Sequence, residues 1–354
     1  MRRILIAFLI TIPLVVSGCA MSNNRNNIED SSLIRIFGID YKDGNYTVTI
    51  LYENSINSQD DQKFKSIYGE GATVYEAYEE IKHKSELYPS PSQIKFFILG
   101  EEAAKNGIKA TIDFPIRNEA IKTDVQVMLV SGKTASEVIE NNDADSFLGD
   151  TLQTIEHKEM KTTKHIDSTL EGIGKYYTSG LQDYLIINLD ASETIYINGY
   201  GVIHNDKLVD VLDYETSLGV NFVLGNIQSV PVYAKDFSAI ITDISSKRVV
   251  DIINNKFYYT IKTDFSTIVR EVNFESISYD FNILRQEQNE YINTLIQKAV
   301  SYIQTTGYDI INAKQLFMAY HPYKWDRIKN DYDAKNIKFN IETKSNINKT
   351  LTIS

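Results

Sequence analysis

Alternating and uninterrupted apolar positions predict several strands in the first half of the chain. Residues 33–39 and 46–52 are rich in β-branched and aromatic side chains, which favour strands. Asp43-Gly44 lies between them and favours a tight hairpin turn, because such turns need positive φ angles. Two short, almost wholly apolar segments at 94–99 and 125–130 predict buried strands. These four segments indicate a sheet near the start of the protein.

Helical periodicity alternates with these strands. A helix is predicted over residues 73–87, with a capping box in which Thr73 is the N-cap and Glu76 stands at N3. Its apolar face consists of Val74, Ala77, Tyr78, Ile81 and Tyr88. The remaining predicted helices of this half cover residues 101–106 up to Gly107, 108–114, and a segment through 139 capped by Thr134 and Glu137.

The second half is richer in strand patterns and contains the longest predicted helix. The strands are expected at residues 194–203, 207–212, 247–253, 256–264, 267–274 and 336–341. Their turns are expected at His204-Asn205-Asp206, at Asn254-Asn255 and at 264–266. Helices are expected at 214–224 and at 282–305, ending before Gly225 and Gly307.

This order of elements predicts an α+β fold of three mixed α/β domains, with antiparallel-rich sheets covered by helices. The predicted domains are an N-terminal α/β domain at 32–180, a small middle domain at 181–237 and a C-terminal α+β domain at 238–354. In the last domain, an antiparallel meander is expected under the long helix. Gly199, inside a predicted strand, is a candidate for a β-bulge.

The N-terminus predicts export and lipid attachment. Arg2 and Arg3 precede a 13-residue apolar run, which is too short for a membrane span and fits a signal peptide over residues 1–18. The run ends in Val16-Ser17-Gly18-Cys19, which resembles a bacterial lipobox. We therefore expect Cys19 to carry a diacylglycerol anchor, followed by a polar tether over residues 19–31; the alternative is a signal peptide with an incidental cysteine.

Composition and net charge argue against several kinds of binding site. The chain has 354 residues and a net charge of −11, which argues against a nucleic-acid-binding surface. A single cysteine excludes a disulfide framework and multi-cysteine metal clusters. No HExxH pair occurs among the histidines, so no metal site is expected; they are His83, His157, His165, His204 and His321. Trp325 is expected in the core, and the 23 tyrosines are expected mainly in sheet packing rather than in a contact surface.

Two motif fragments have ordinary structural interpretations. Ser131-Gly132-Lys133-Thr134 lacks the earlier glycine of a phosphate-binding loop, because Val127 stands there, and a strand-to-helix turn is expected instead. Asp143-Ala144-Asp145 begins like a calcium loop, but the next ligand positions are apolar. No catalytic residues, cofactor or metal are therefore predicted, and the chain is interpreted as a non-catalytic protein.

In its order of motifs the chain resembles the Ger(x)C family, the lipoprotein C subunits of nutrient receptors in bacterial spores. The similarity begins at the lipobox, although Ala20-Met21 replaces the Trp-Asp that usually follows the lipidated cysteine. It continues through Phe37-Gly38-Ile39-Asp40, residues 43–49, 71–77, 97–108 and 114–119, the segment from Gly199 to Gly219, and finally Pro322 and Trp325.

The resemblance implies three α+β domains on the outer face of the inner spore membrane. It implies A and B subunits as partners in triggering spore germination, and it leaves open which subunit binds the nutrient. Two other functions remain as alternatives: a substrate-binding lipoprotein of a transporter, and a cell-wall or lipid-processing enzyme.

Overall fold

The structure, a computed structural model, describes residues 31–53, 64–141, 148–159, 163, 166–233, 237–272 and 281–347. The predicted signal peptide, Cys19, His165 and the loop around Asp143 lie outside these residues. The predicted tether also lies outside them, except for Ser31, which is the first residue of a strand rather than the last of the tether.

The first sheet has nine strands and takes up the chain as far as residue 212. Their bounds are β1 (Ser31–Lys42), β2 (Asn45–Glu53), β3 (Phe64–Gly71), β4 (Tyr88–Ser90), β5 (Phe96–Gly100), β6 (Gln126–Ser131), β7 (Asp183–Asp190), β8 (Tyr196–His204) and β9 (Lys207–Leu212). The order across the sheet is β3-β2-β1-β5-β6-β7-β8-β9, and β4 pairs with the start of β1. The predicted boundary at 180/181 therefore lies between two strands, β6 and β7, that are hydrogen-bonded neighbours.

This sheet is parallel in the middle and antiparallel at both ends. β1, β5, β6 and β7 run parallel, since helical crossovers connect β5 to β6 and β6 to β7. The outer pairs are hairpins, and the predicted turn between β1 and β2 is confirmed by the positive φ angles of Asp43 (50°) and Gly44 (92°). The turn between β8 and β9 is also confirmed, with positive φ angles at Asn205 and Asp206.

Helices cover both faces of the first sheet. They are α1 (Val74–Lys84), α2 (Glu101–Asn106), α3 (Ile108–Arg117), α4 (Ala135–Glu140), α5 (Leu148–Glu159) and α6 (Leu170–Ser179). Buried residues of α1, α2, α3 and α6 share one core with the sheet, whereas those of α4 and α5 belong to a second core on the other side. The capping box at Thr134 is complete, but at the start of α1 the Glu76 carboxylate accepts the N–H of Ala72 rather than that of Thr73. α1 ends at Lys84, three residues before the predicted end.

The second sheet has four strands in sequence order and one long helix. It consists of β10 (Val230–Tyr233), β11 (Phe237–Ile253), β12 (Lys256–Val272) and β13 (Lys338–Ile347). The helices of this half are α7 (Tyr214–Leu224), α8 (Phe281–Thr306), α9 (Ala313–Tyr320) and α10 (Pro322–Ile328). The ends of α7 and α8 are as predicted, with positive φ angles at Gly225 and Gly307. Trp325 is buried against Phe257 and Tyr332, which confirms its predicted place in the core.

Two predictions for this half are wrong. The turn expected at 264–266 is absent, because β12 continues through it with Phe265 buried and Asp264 on the opposite, exposed side. The irregularity lies instead on the partner strand, at Asp243, which has a φ of 52°. The expected antiparallel meander is also incomplete, because β13 pairs with β12 in parallel. The long α8 is the crossover that a parallel pair requires.

One core joins the two sheets. Apolar residues of α4, α5 and the adjacent face of the first sheet form a single buried cluster with α7, α8 and the inner face of the second sheet. The mixed α/β fold class is thereby confirmed, whereas the division into three domains stays a prediction.

Candidate functional site

A polar network joins the start of β7 and the end of β8 to the segment after α8. Asp183, at the start of β7, is buried, and one of its carboxylate oxygens accepts a hydrogen bond from His204 Nδ1 at 2.6 Å. The side-chain nitrogen of Asn205 lies 2.8 Å from His204 Nε2, so both ring nitrogens of His204 have a polar neighbour at hydrogen-bonding distance. The ring of Tyr308 packs on the His204 ring at 4.6 Å. His204 is therefore packed and hydrogen-bonded where β8 meets the segment after α8.

The other half of this network is Asp309, which follows α8. The second oxygen of Asp183 accepts the Asp309 backbone N–H at 2.8 Å. The Asp309 carboxylate itself accepts the N–H groups of Ala313 and Lys314 at the start of α9, and the Tyr332 hydroxyl at 2.7 Å. Burial raises the pKa of Asp309 above its usual value of 3.8, although these donors oppose the change. The residue fixes α9 against the rest of the chain.

Asp40 plays a similar role in the first sheet. It lies near the end of β1, and its two carboxylate oxygens accept the N–H groups of Ala135 and Ser136, each at 2.9 Å. Burial raises the pKa of Asp40, and the two backbone donors counteract it. Both oxygens are engaged by backbone donors at the start of α4, so the geometry is that of a structural cap.

The turn between β8 and β9 is hydrogen-bonded to α3 and α6, two of the helices that cover the first sheet. Asp206 accepts the N–H of Lys109 at 2.7 Å and the Tyr177 hydroxyl at 2.6 Å. His204, two residues earlier, reaches the junction network described above. One predicted turn thus connects the helical layer of the first sheet with the segment after α8, a role that the sequence pattern did not indicate.

Two glycines singled out in the sequence have positive φ angles in the structure. Gly132 has a φ of 82° and forms the turn from β6 into α4, where Thr134 accepts the N–H of Glu137. The predicted strand-to-helix turn is confirmed. Gly199, with a φ of 79°, lies at a register shift between β7 and β8, which confirms the predicted bulge.

A groove of about 1510 Å³ runs along α8, and we call it the α8 groove. Its floor is formed by uncharged polar side chains of α8 at a spacing of three or four residues: Gln286, Asn289, Asn293, Gln297, Ser301 and Thr305. One wall includes Asp210 of β9 and Thr216 of α7, and the opposite wall includes Ile341 of β13. The groove thus lies between the edge strands of the two sheets.

The floor of the α8 groove offers hydrogen-bonding groups with little net charge. The buried side-chain oxygens of Asn289 and Asn293 have no hydrogen-bond partner among the described residues. Burial, followed by the nearby Asp210 carboxylate, raises the pKa of Tyr302 and keeps its hydroxyl neutral. Amide and hydroxyl groups on this surface can both donate and accept hydrogen bonds.

The sequence carries a signal for this groove in the polar side of α8. The apolar side of α8 is buried, with residues such as Ile292, Leu295 and Ile296 in the core. The opposite stripe is dominated by amides and hydroxyls instead of the lysines and glutamates usual on an exposed helix. Its position between two sheet edges depends on the tertiary structure.

Two further features concern possible metal ligands and membrane-spanning helices. In the described ranges, no three or more His, Cys, Asp or Glu side chains are grouped as metal ligands would be. Within those same ranges, no helix has both the length and the apolar character needed to cross a membrane.

Two family models of spore germination proteins match consecutive regions of this chain. A family model described as the spore germination protein N-terminal domain matches residues 24–189, and one described as spore germination B3/GerAC-like, C-terminal, matches residues 198–351. No curated protein matches the chain. Among solved structures, the crystal structure of the GerBC protein has a TM-score of 0.59 at 17% identity, covering 88% of this chain and 96% of that one. It is similar in fold.

The two family regions meet inside the first sheet, since β7 belongs to the first and β8 to the second, and these strands are paired. The junction network of Asp183, His204 and Asp309 spans the same boundary. The two matched regions follow one another along nearly the whole chain, and this protein belongs to the Ger(x)C family of spore germination proteins.

Proposed function

We propose that this protein is the lipid-anchored C subunit of a spore nutrient germinant receptor and acts without catalysis, by contact with the A and B subunits. The observation that carries the proposal is the pair of family matches over residues 24–189 and 198–351. The engagement of Asp40 and Asp309 as backbone caps supports a non-catalytic role, because their oxygens are occupied by structural donors.

The proposed attachment is a lipid on Cys19 that holds the protein on the outer face of the inner spore membrane. Ser31, where β1 begins, lies twelve positions after Cys19. Such a segment reaches at most about 40 Å when fully extended. The folded part would therefore remain close to the bilayer, within reach of membrane-embedded partners.

A substrate-binding lipoprotein of a transporter fits the structure less well. Proteins of that kind typically have two similar α/β lobes facing a cleft. Here the first sheet has nine strands and the second has four, with different topologies.

Purification of the tagged full chain from detergent-solubilised spore membranes tests the proposal. We expect A-type and B-type receptor subunits to be recovered with it, and nutrient-triggered germination to be lost when the gene is deleted. A spore membrane lipoprotein of unrelated family, tagged in the same way, is the control. Recovery of a transporter permease in place of receptor subunits would contradict the proposal.

A further inference from the structure

The two walls of the α8 groove contain sheet edges that carry no further strand. Among the described residues, β13 pairs only with β12, and β9 pairs only with β8. An edge strand presents a row of unpaired N–H and C=O groups, which another extended chain can use. β13 is the longer of the two, with ten residues against six.

The side chains of β13 divide into two faces. Lys338, Glu342 and Lys344 lie on the exposed outer face, where Glu342 pairs with Lys262 at 2.9 Å. Phe339 and Ile341 lie on the inner face, pack partly against the core and remain half-exposed. Ile341 also lines the α8 groove. A further strand beside β13 would cover this apolar surface and lie over the floor of the groove.

Unpartnered polar atoms cluster around the same edge. Ser345 is 4% exposed, and its hydroxyl lacks a hydrogen-bond partner in the part of the chain that the structure describes. The same holds for the side-chain oxygens of Asn289 and Asn293 on the floor of the groove. Buried polar groups without partners cost free energy, so the packing beneath this edge is not fully satisfied by the described residues.

The charges of the groove limit what can bind. Lys298 is already paired with Glu215 across the wall, and Asp213 accepts the N–H of Thr216. Asp210, Arg285 and Glu290 also line the groove, so charges of both signs lie along it and neither a strongly acidic nor a strongly basic segment is favoured over its length. Hydroxyl and amide side chains would instead find matching donors and acceptors. The complementary segment is therefore extended, uncharged and rich in Ser, Thr, Asn or Gln.

We propose that a partner subunit inserts an extended, uncharged segment of this kind into the α8 groove, where it adds as a strand to the free edge of β13. The inference rests on the proposed function, which supplies the partner subunits, and it specifies the surface that one of them uses. Backbone hydrogen bonds to β13 provide the affinity, and the polar floor of α8 provides the selectivity.

Substitution of charged residues on the floor of the α8 groove tests whether a partner segment binds there. In the full chain, the double substitution Gln297→Glu and Ser301→Glu adds two carboxylates at exposed positions of α8. We expect recovery of the receptor subunits to fall about tenfold or more. The matched control is Gln153→Glu with Thr154→Glu on the exposed side of α5, which should leave recovery unchanged. Circular dichroism melting checks that both variants fold.

The outcomes separate the inference from the proposed function. Normal recovery with the groove variant overturns the inference and leaves the proposed function intact. Failure of the unaltered chain to recover receptor subunits overturns both. Equal loss in the groove and control variants also overturns the inference, because the effect would then be one of charge in general.

Amide hydrogen exchange identifies the occupant directly. Amides of β13 should gain protection in the purified receptor complex relative to the isolated chain. Three results would overturn the inference: no gain in the complex, protection in the isolated chain that disappears when residues 348–354 are removed, or protection that rises with protein concentration. The second would assign the edge to the chain's own C-terminus, and the third to a second copy.

Discussion

The carboxylate of Asp183 accepts the backbone N–H of Asp309 at 2.8 Å, across 126 positions of the sequence. Asp183 belongs to β7 of the first sheet, and Asp309 follows the long helix α8 of the second half. The other oxygen of Asp183 accepts from His204. A single buried carboxylate therefore connects three segments of the chain where the two sheets meet.

Replacement of Asp183 should destabilise the whole fold. Asp183→Ala leaves the Asp309 N–H and the His204 Nδ1–H without acceptors in a buried place. We expect the free energy of unfolding to fall by about 2–4 kcal/mol. Urea unfolding followed by circular dichroism measures the change, with Asp326→Asn, on the exposed surface, as the control. Equal stability of the Asp183→Ala variant and the unaltered chain would contradict the assigned role.

The pKa of Asp309 predicts a pH dependence of stability. Because burial raises its pKa above 3.8 in the folded protein, the folded state binds this proton more tightly than the unfolded state. The contribution of Asp309 to stability is therefore complete below pH 3.8 and declines as the pH rises through the folded-state pKa. In Asp309→Asn this titration is removed.

Urea unfolding of both proteins across this acidic interval provides the measurement. The difference in the free energy of unfolding between the unaltered chain and Asp309→Asn should shrink as the pH rises. An Asp326→Asn variant should show no such trend, because that side chain is 72% exposed. A difference that stays constant, or grows, with pH would show that the pKa of Asp309 is not raised.

Gly199 and Gly174 should respond in opposite ways to alanine. At Gly199, φ is 79°, and an added Cβ would lie 2.4 Å from Ser217 Oγ and 2.6 Å from the Leu212 carbonyl oxygen. We expect Gly199→Ala to cost about 2–4 kcal/mol. Gly174 lies inside α6 with nothing within 4 Å of an added Cβ, so Gly174→Ala should stabilise by roughly 0.5–1 kcal/mol. Thermal melting of the two variants checks the signs; a stabilised Gly199→Ala would be inconsistent with the bulge.

Lipid attachment at Cys19 remains the most direct prediction from the sequence. Cys19→Ala should abolish labelling by a fatty-acid probe and release the protein from membranes, because the acyl chains are expected to hold an acidic protein on the bilayer. Ser17→Ala keeps a small residue before the cysteine and should still be labelled. Unchanged labelling of Cys19→Ala would refute the prediction.

Local patterns were reliable where one rule dominated. Asp43-Gly44 specified a hairpin and Gly307 the end of α8, because few residues tolerate positive φ angles. Thr134 with Glu137 specified a helix start through hydrogen bonds within four residues. A prediction failed where the same polar residues are typical of a turn and of the outer face of a strand. Asp264 and Ser266 indicated a turn, but they are outward-facing positions on either side of buried Phe265.

Some elements were missed because their signals were weak or continuous. β7 is buried along most of its length and has no alternation, so its apolar run carried no clear period. β3 contains Lys65, Glu70 and two glycines and pairs at the sheet edge, where burial imposes little pattern. Neither strand has a local feature as specific as a cap or a tight turn.

The sequence by itself determined many of the elements and their ends, the family and the single candidate for lipidation, since each depends on short-range geometry or on a motif at fixed spacing. Only the tertiary structure decided that β13 runs parallel to β12, that one core joins the two sheets, and that Asp183 meets Asp309. It also placed the amide stripe of α8 between two sheet edges. These relationships join residues far apart in the chain, so they depend on how the elements pack together and leave no fixed spacing in the sequence.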